Sequence, residues 1–271
     1  MSTWKTAALV AAVGILLPGS LQAQSKTEIE PVIKSGATLA VKPMNGFEYY
    51  LLAAFYKKHI PLKLIRDPQK ASYVIEGRES SSRAGISKVF WMGTDADHQD
   101  MSLDVVRASD GQQVMHEENS RSLPNRGLQT MAEGFANHLQ EKVDPKPIEI
   151  ERPTILSNPK VYVAVNDEFR TALLAAFQQK NVPIKVVESK DEADYLLEGD
   201  SQSTKADTRR KVMMLSWQSR EQASVVLSNA KDGQVVFAYA YYYDSSRHGL
   251  RSSAESCAKH LGEKLGSADK K

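Results

Sequence analysis

The pentapeptide Leu51-Leu52-Ala53-Ala54-Phe55 returns unchanged as Leu173-Leu174-Ala175-Ala176-Phe177, 122 residues further on. This recurrence constrains the chain more than any other feature, because the flanking segments repeat at the same offset. In a chain of 271 residues, a period of that length is the duplication of a whole folding unit and not a solenoid repeat. Each copy is long enough to bury a core of its own.

The copies can be read against one another. Thr38-Leu39-Ala40-Val41 and Val161-Tyr162-Val163-Ala164-Val165 are short β-rich runs. Asn45 and Asp167 follow as candidate N-caps, and Glu48 stands three residues after Asn45 at the capping-box spacing. Phe47, Tyr50, Leu51, Ala54 and Phe55 form a helical stripe, repeated by Phe169, Ala172, Leu173, Ala176 and Phe177. Pro61 and Pro183 end the helices, with Asn181 suited to a left-handed exit. Leu62–Ile65 and Ile184–Val187 read as strands, as do Ala71-Ser72-Tyr73-Val74-Ile75-Glu76-Gly77 and Ala193-Asp194-Tyr195-Leu196-Leu197-Glu198-Gly199. The copies differ most over residues 79–100 and 201–222, where a short apolar run in each predicts one more strand in a long hairpin. Asp110-Gly111 and Asp232-Gly233 then join two β-rich runs, a strong hairpin signal because both turn positions favour positive φ. A second amphipathic helix closes each copy, carried by Leu128, Met131, Ala132, Phe135, Ala136, Leu139 and Val143 and by Leu250, Ala254, Cys257, Ala258, Leu261 and Leu265.

The expectation is an α+β protein of two similar domains. Each is a mixed, mainly antiparallel sheet with two helices packed on one face, leaving the other face for solvent or another surface. The domains are expected over 37–143 and 159–265, joined by a Pro-rich linker over 144–158 and followed by a tail over 266–271. Residues 1–23 read as a secretory signal peptide: Lys5 is the positive region, Ala7 to Leu17 an apolar run too short to span a bilayer comfortably, and Ala23 the cleavage-site residue. Residues 24–36 form a polar leader. No transmembrane segment is expected after signal removal, so the chain reads as periplasmic or secreted. Cys257 is the one cysteine, which excludes an internal disulfide and an N-terminal lipid-bearing cysteine. A net charge of +2 is too small to argue for a nucleic-acid partner.

On the opening strand, the helix Phe47–Lys58 and its copy Phe169–Lys180, the helix–Pro–strand junctions, the Ala-Ser-Tyr-Val-Ile-Glu-Gly run with its copy, and the Asp-Gly hairpin before a final helix, the chain resembles exported bacterial α/β modules. These are the amino-terminal domain of TolB-like periplasmic proteins, the CsgG family of curli secretion and the LpoB-type activators of penicillin-binding proteins. The resemblance implies a non-enzymatic role, with another envelope protein as partner. It carries over no functional residues, and this chain lacks both the TolB propeller and a lipid-bearing cysteine.

Residue types that could carry chemistry are few. His138 and His260 are equivalent, but the residues four further on are Lys142 and Lys264, so no helical metal pair forms. Cys257 takes the place of Phe135 on the apolar stripe and reads as a buried thiol. Glu76 and Glu198 recur before a glycine and read as solvated strand-end charges. A hydrolase would need Glu198, His260 or His248 to converge with a serine. No cofactor is expected. The most unusual stretch is Phe237-Ala238-Tyr239-Ala240-Tyr241-Tyr242-Tyr243, whose alternate residues place Phe237, Tyr239, Tyr241 and Tyr243 on one strand face. Their counterparts are Met115, Glu117, Asn119 and Arg121. If that face turns away from the helices it is a contact surface; otherwise it packs against the long hairpin carrying Trp217. Partner-binding candidates are therefore Tyr239, Tyr241, Tyr243, Trp91, Trp217, Arg209 and Arg210. The expected function is protein binding or assembly, with a small-molecule or glycan sensor as the alternative.

Overall fold

The computed structural model describes residues 33–79, 101–119, 128–144, 153–204, 219–246 and 250–268. The signal-peptide reading of residues 1–23, the extra-strand expectation at Lys88–Met92 and Arg209–Trp217, and the candidates Trp91, Trp217, Arg209 and Arg210 lie outside the described residues.

The duplication is kept element by element. The first repeat runs β1 (Thr38–Val41), α1 (Phe47–Lys57), β2 (Lys63–Ile65), β3 (Tyr73–Glu79), β4 (Met101–Arg107), β5 (Gln113–Asn119) and α2 (Leu128–Lys142). The second runs β6 (Lys160–Ala164), α3 (Asp167–Gln179), β7 (Lys185–Val187), β8 (Tyr195–Thr204), β9 (Ser219–Asn229), β10 (Val235–Ser246) and α4 (Leu250–Ala268). The two five-stranded sheets have the orders β2-β1-β3-β4-β5 and β7-β6-β8-β9-β10. In each, the first three strands pair in parallel and the last two join antiparallel, so the sheets are mixed. Even the irregularities recur. A register shift leaves Val114 unpaired in β5 and Val236 unpaired in β10, one offset apart, and both side chains turn into their cores. The equivalence also extends back to Ile33 and Ile155, both buried. The backbone amides that follow them, of Lys34 and Leu156, donate to the hydroxyls of Tyr73 and Tyr195 at 3.5 and 3.2 Å.

Local chemistry sets the turns. Gly111 and Gly233 have φ of 70° and 72°, and Asp110 and Asp232 accept from the amides two residues on. His59 and Asn181 leave their helices at φ of 56° and 49°. The capping expectation needs two corrections. Asn45 does not cap α1: it stands at φ 52° and Gly46 at φ 96° takes the cap position. Glu48 reaches back instead and accepts from the amides of Met44 and Gly46 at 2.8 and 2.9 Å. A side chain at position 46 would meet Asp200 at 2.7 Å, so glycine is required by the close approach of the second repeat as well as by its φ. In the second copy the cap is Asn166, which accepts from the amide of Phe169 at 2.9 Å, and Asp167 is the first helical residue.

The described residues pack as one compact unit. Sheet 1 buries Leu39, Val41, Ile75, Leu103 and Val105 against α1 and α2, and the same core takes in Val226, Val235 and Ala238 from the face of sheet 2 that its own helices leave free. The other face of sheet 2 buries Val161, Val163, Leu197, Val225, Leu227 and Phe237 against α3 and α4. The layers therefore run sheet 1, α1 with α2, sheet 2, α3 with α4. Helix α1 is enclosed on both sides, with Phe55 against Phe135 of α2 and Tyr56 against Phe237 of β10.

Candidate functional site

Among the described residues the last three strands run longer in the second repeat than in the first. β8, β9 and β10 have 10, 11 and 12 residues, where β3, β4 and β5 have 7 each. β10 is the edge of sheet 2, and its extension carries the tyrosines.

The aromatic face turns toward the helices. Phe237 is buried in the core under α4. Tyr239 is half-buried: its hydroxyl shares a 2.9 Å hydrogen bond with Ser256, and its ring lies 4.3 Å from that of His260, both on α4. Tyr241 and Tyr243 continue along the same strand face and stack on each other, centroids 6.3 Å apart and planes 19° apart. Tyr241 is half-buried, whereas Tyr243 is 50% exposed, one of two large exposed hydrophobic residues among those described. Glu221 lies directly opposite Tyr243 on β9 and is fully buried. Burial pushes the phenol of Tyr241 up, and the Glu221 carboxylate pushes it further, so the ring stays neutral and offers a hydroxyl donor. Burial likewise raises Tyr239, while its bond to Ser256 opposes the shift. The ladder thus divides into an anchored half, Phe237 and Tyr239, and a free half, Tyr241 and Tyr243.

The equivalent positions explain the paired histidines. His138 Nδ1 lies 2.9 Å from Glu117 Oε1, and Glu117 is the counterpart of Tyr239. In each repeat the histidine of the last helix meets the same place on the edge strand, a carboxylate in one and a phenol ring in the other. His260 also bonds Glu263 on its own helix at 2.9 Å. Among the described residues no three His, Cys, Asp or Glu side chains are grouped as metal ligands. Cys257 is buried in the second core, and burial drives its thiol pKa far up.

Glu198 is not the solvated strand-end charge expected from its position. It accepts from Arg66 Nε of the first repeat at 2.9 Å, with side-chain exposures of 25% and 19%. The Arg66 guanidinium also covers the Tyr49 ring at 5.1 Å, and the Arg66 amide donates to the Gly233 carbonyl at 2.9 Å. Burial foremost, with the Glu198 charge second, raises the Tyr49 phenol to about 12. A polar chain also crosses between the repeats: the amide of Leu128, which opens α2, donates to Gln222 Oε1 at 3.1 Å, Gln222 donates to Gln202, and Gln202 to Asp200. These residues join the repeats, and the signal that would find them in the sequence is asymmetry: Arg66 has Glu188 as its counterpart, and Gln222 has Asp100.

No protein-family model matches the chain, and no curated protein matches it. Solved structures give shallow likenesses. A PelC dodecamer from Paraburkholderia phytofirmans is 17% identical over 43% of this chain and 94% of that one, with a TM-score of 0.31. A neuraminyllactose-binding hemagglutinin homolog from Helicobacter pylori is 9% identical over 44% and 88%, with a TM-score of 0.27. The rare lipoprotein B from Shewanella oneidensis is 10% identical over 41% and 88%, with a TM-score of 0.18. Likenesses of this depth decide neither fold nor function. The resemblance to TolB-like, CsgG-like and LpoB-type modules is shown by none of the three and enters only the proposal below. Among the described residues no helix is long and apolar enough to cross a membrane.

Proposed function

We propose that this chain is exported to the cell envelope and acts there without catalysis, binding another envelope protein through the free end of β10. The observation that carries the reading is the Tyr241–Tyr243 pair, stacked ring on ring and half-exposed at the end of a 12-residue edge strand. Rigid aromatic rings with a polar tip supply large contact area at low entropic cost, which is why tyrosine is enriched at interfaces. An edge strand also suits pairing with an added strand of a partner. Export rests on the charged, apolar and small-residue pattern of residues 1–23, and the envelope assignment on the resemblance drawn from the repeats.

The test places a photo-crosslinking residue at Tyr243 and, as a control, at the exposed turn residue Lys231 in cells producing the full chain. The expected result is a discrete adduct of constant mass in the envelope fraction from position 243 alone, lost when Tyr241→Ser is added. A chain recovered from the cytoplasm, or adducts of the same spread from both positions, would overturn the reading. The stacked rings also suit the apolar face of a sugar. A glycan panel that raises the unfolding midpoint of the native chain but not of Tyr241→Ser/Tyr243→Ser would shift the assignment to a sensor.

A further inference from the structure

The two repeats are joined by one step: the free face of sheet 2 is laid on the helices of repeat 1. The same step taken again would lay the face of sheet 1 turned away from its own helices, in one copy, on α3 and α4 of another. Such an interface is heterologous, and it grows into rings or filaments unless something stops it. Stacked repeat proteins stop it with polar outer faces on their terminal units.

We infer that the two end faces of this molecule carry side chains that terminate the stack at two repeats. The receiving face shows it first. Where sheet 2 presents Val226, Ala238 and Ala240 to α1, sheet 1 has Asp104, His116 and Glu118 at the equivalent positions. His116 is held between the other two, with Nδ1 2.6 Å from Asp104 and Nε2 3.3 Å from Glu118. Glu76 is paired with Lys42 on the same face. Asp104 is already buried, and covering the exposed His116 and Glu118 with a helix would strip their water without replacing it. The backbone beneath them has the same strand order and the same bulge as in sheet 2, so shape alone does not refuse a third unit.

The donating face agrees independently. On α1 the side toward sheet 2 carries Tyr49, Leu52, Ala53 and Tyr56, with Leu52 and Ala53 buried. On α3 the same positions are Thr171, Leu174, Ala175 and Gln178, of which Thr171, Ala175 and Gln178 are exposed. The ion pair reverses too. Arg66 and Glu198 clamp the repeats together, but their counterparts in a next step would be Glu188 and Glu76, two like charges.

The experiment rewrites each end to the internal code. One variant carries Asp104→Val/His116→Ala/Glu118→Ala, the other Thr171→Tyr/Gln178→Tyr/Glu188→Arg, and masses are read by light scattering after size exclusion. Each variant alone is expected to keep the mass of the native chain. Mixed one to one they are expected to form a single 1:1 complex, because each brings one competent end. All six changes in one chain are expected to give oligomers that grow with concentration. Far-ultraviolet circular dichroism and cooperative unfolding establish that each variant is folded. If the buried Asp104 change prevents folding, His116→Ala/Glu118→Ala carries the same expectation. Folded variants that stay at the separate-chain mass when mixed would overturn the inference. So would a native chain whose self-association is abolished by Ala175→Glu.

Discussion

The repeated pentapeptide permits a matched pair of substitutions in which local sequence cancels. Ala53 and Ala175 occupy the same place in identical five-residue contexts, so Ala→Glu changes helix propensity equally in both. Their surroundings differ: Ala53 is 3% exposed between sheet 1 and sheet 2, whereas Ala175 faces solvent. At position 53 a carboxyl enters a core containing Val226, Val235 and Ala238. Full burial raises a carboxyl by about 3–5 pH units, so at neutral pH it folds protonated and costs about 1.4 kcal/mol for each unit between its unfolded value near 4.3 and pH 7, or about 3–4 kcal/mol. Overpacking adds about 1–3 kcal/mol. That sum is comparable with the about 5–15 kcal/mol that holds a domain folded, so Ala53→Glu should unfold the chain or leave it barely stable. Ala175→Glu should stay within about 0.5 kcal/mol of the native chain. The assay is urea unfolding followed by circular dichroism at pH 7 and pH 5. A carboxyl whose folded pKa is raised costs more stability as pH rises from its unfolded value near 4.3 toward the folded one, so Ala53→Glu should recover part of its loss at pH 5. Variants within about 1 kcal/mol of each other at pH 7 would refute the enclosed position of α1.

Three further outcomes follow from the geometry. Glu198→Ala leaves the Arg66 guanidinium without its carboxylate at a partly buried site and should cost about 1.5–3 kcal/mol in urea unfolding; Glu76→Ala, whose pair with Lys42 is more exposed, should cost less than about 1 kcal/mol. The hydrogen bond to Asp104, followed by that to Glu118, raises the His116 imidazole. Its contribution is present below the unfolded value near 6.5 and lost as pH rises through the higher folded value, so the midpoint should fall over that window and His116→Asn should flatten the dependence. Cys257 should resist a thiol reagent in native buffer and react fully in urea, at a rate that tracks unfolding; rapid labelling of the folded chain would contradict its burial.

Spacing and periodicity were enough to read the described elements. The helical stripe at Phe47, Tyr50, Leu51, Ala54 and Phe55 is the face that packs on sheet 1 and α2, and the two Asp-Gly turns are hairpins with positive φ. Both are local: one depends on 3.6-residue periodicity, the other on which residues tolerate a left-handed backbone. The α1 cap was not legible, because Gly46 answers to Asp200 from the other repeat as much as to its own turn. The tyrosine face was legible as one strand face, but its direction was not. Alternation says which residues share a side and never which side meets the helices.

Leu51–Phe55 and Leu173–Phe177 show where the division falls. Their letters dictate the same helix and the same inward stripe in both copies. Only the stacking of sheet 2 on α1 buries all five residues of the first, while Ala175 of the second stays in water. Local propensity depends on neighbours along the chain, which the copies share. Burial depends on neighbours in space, and a two-unit stack gives one copy a partner on both sides and the other a partner on one.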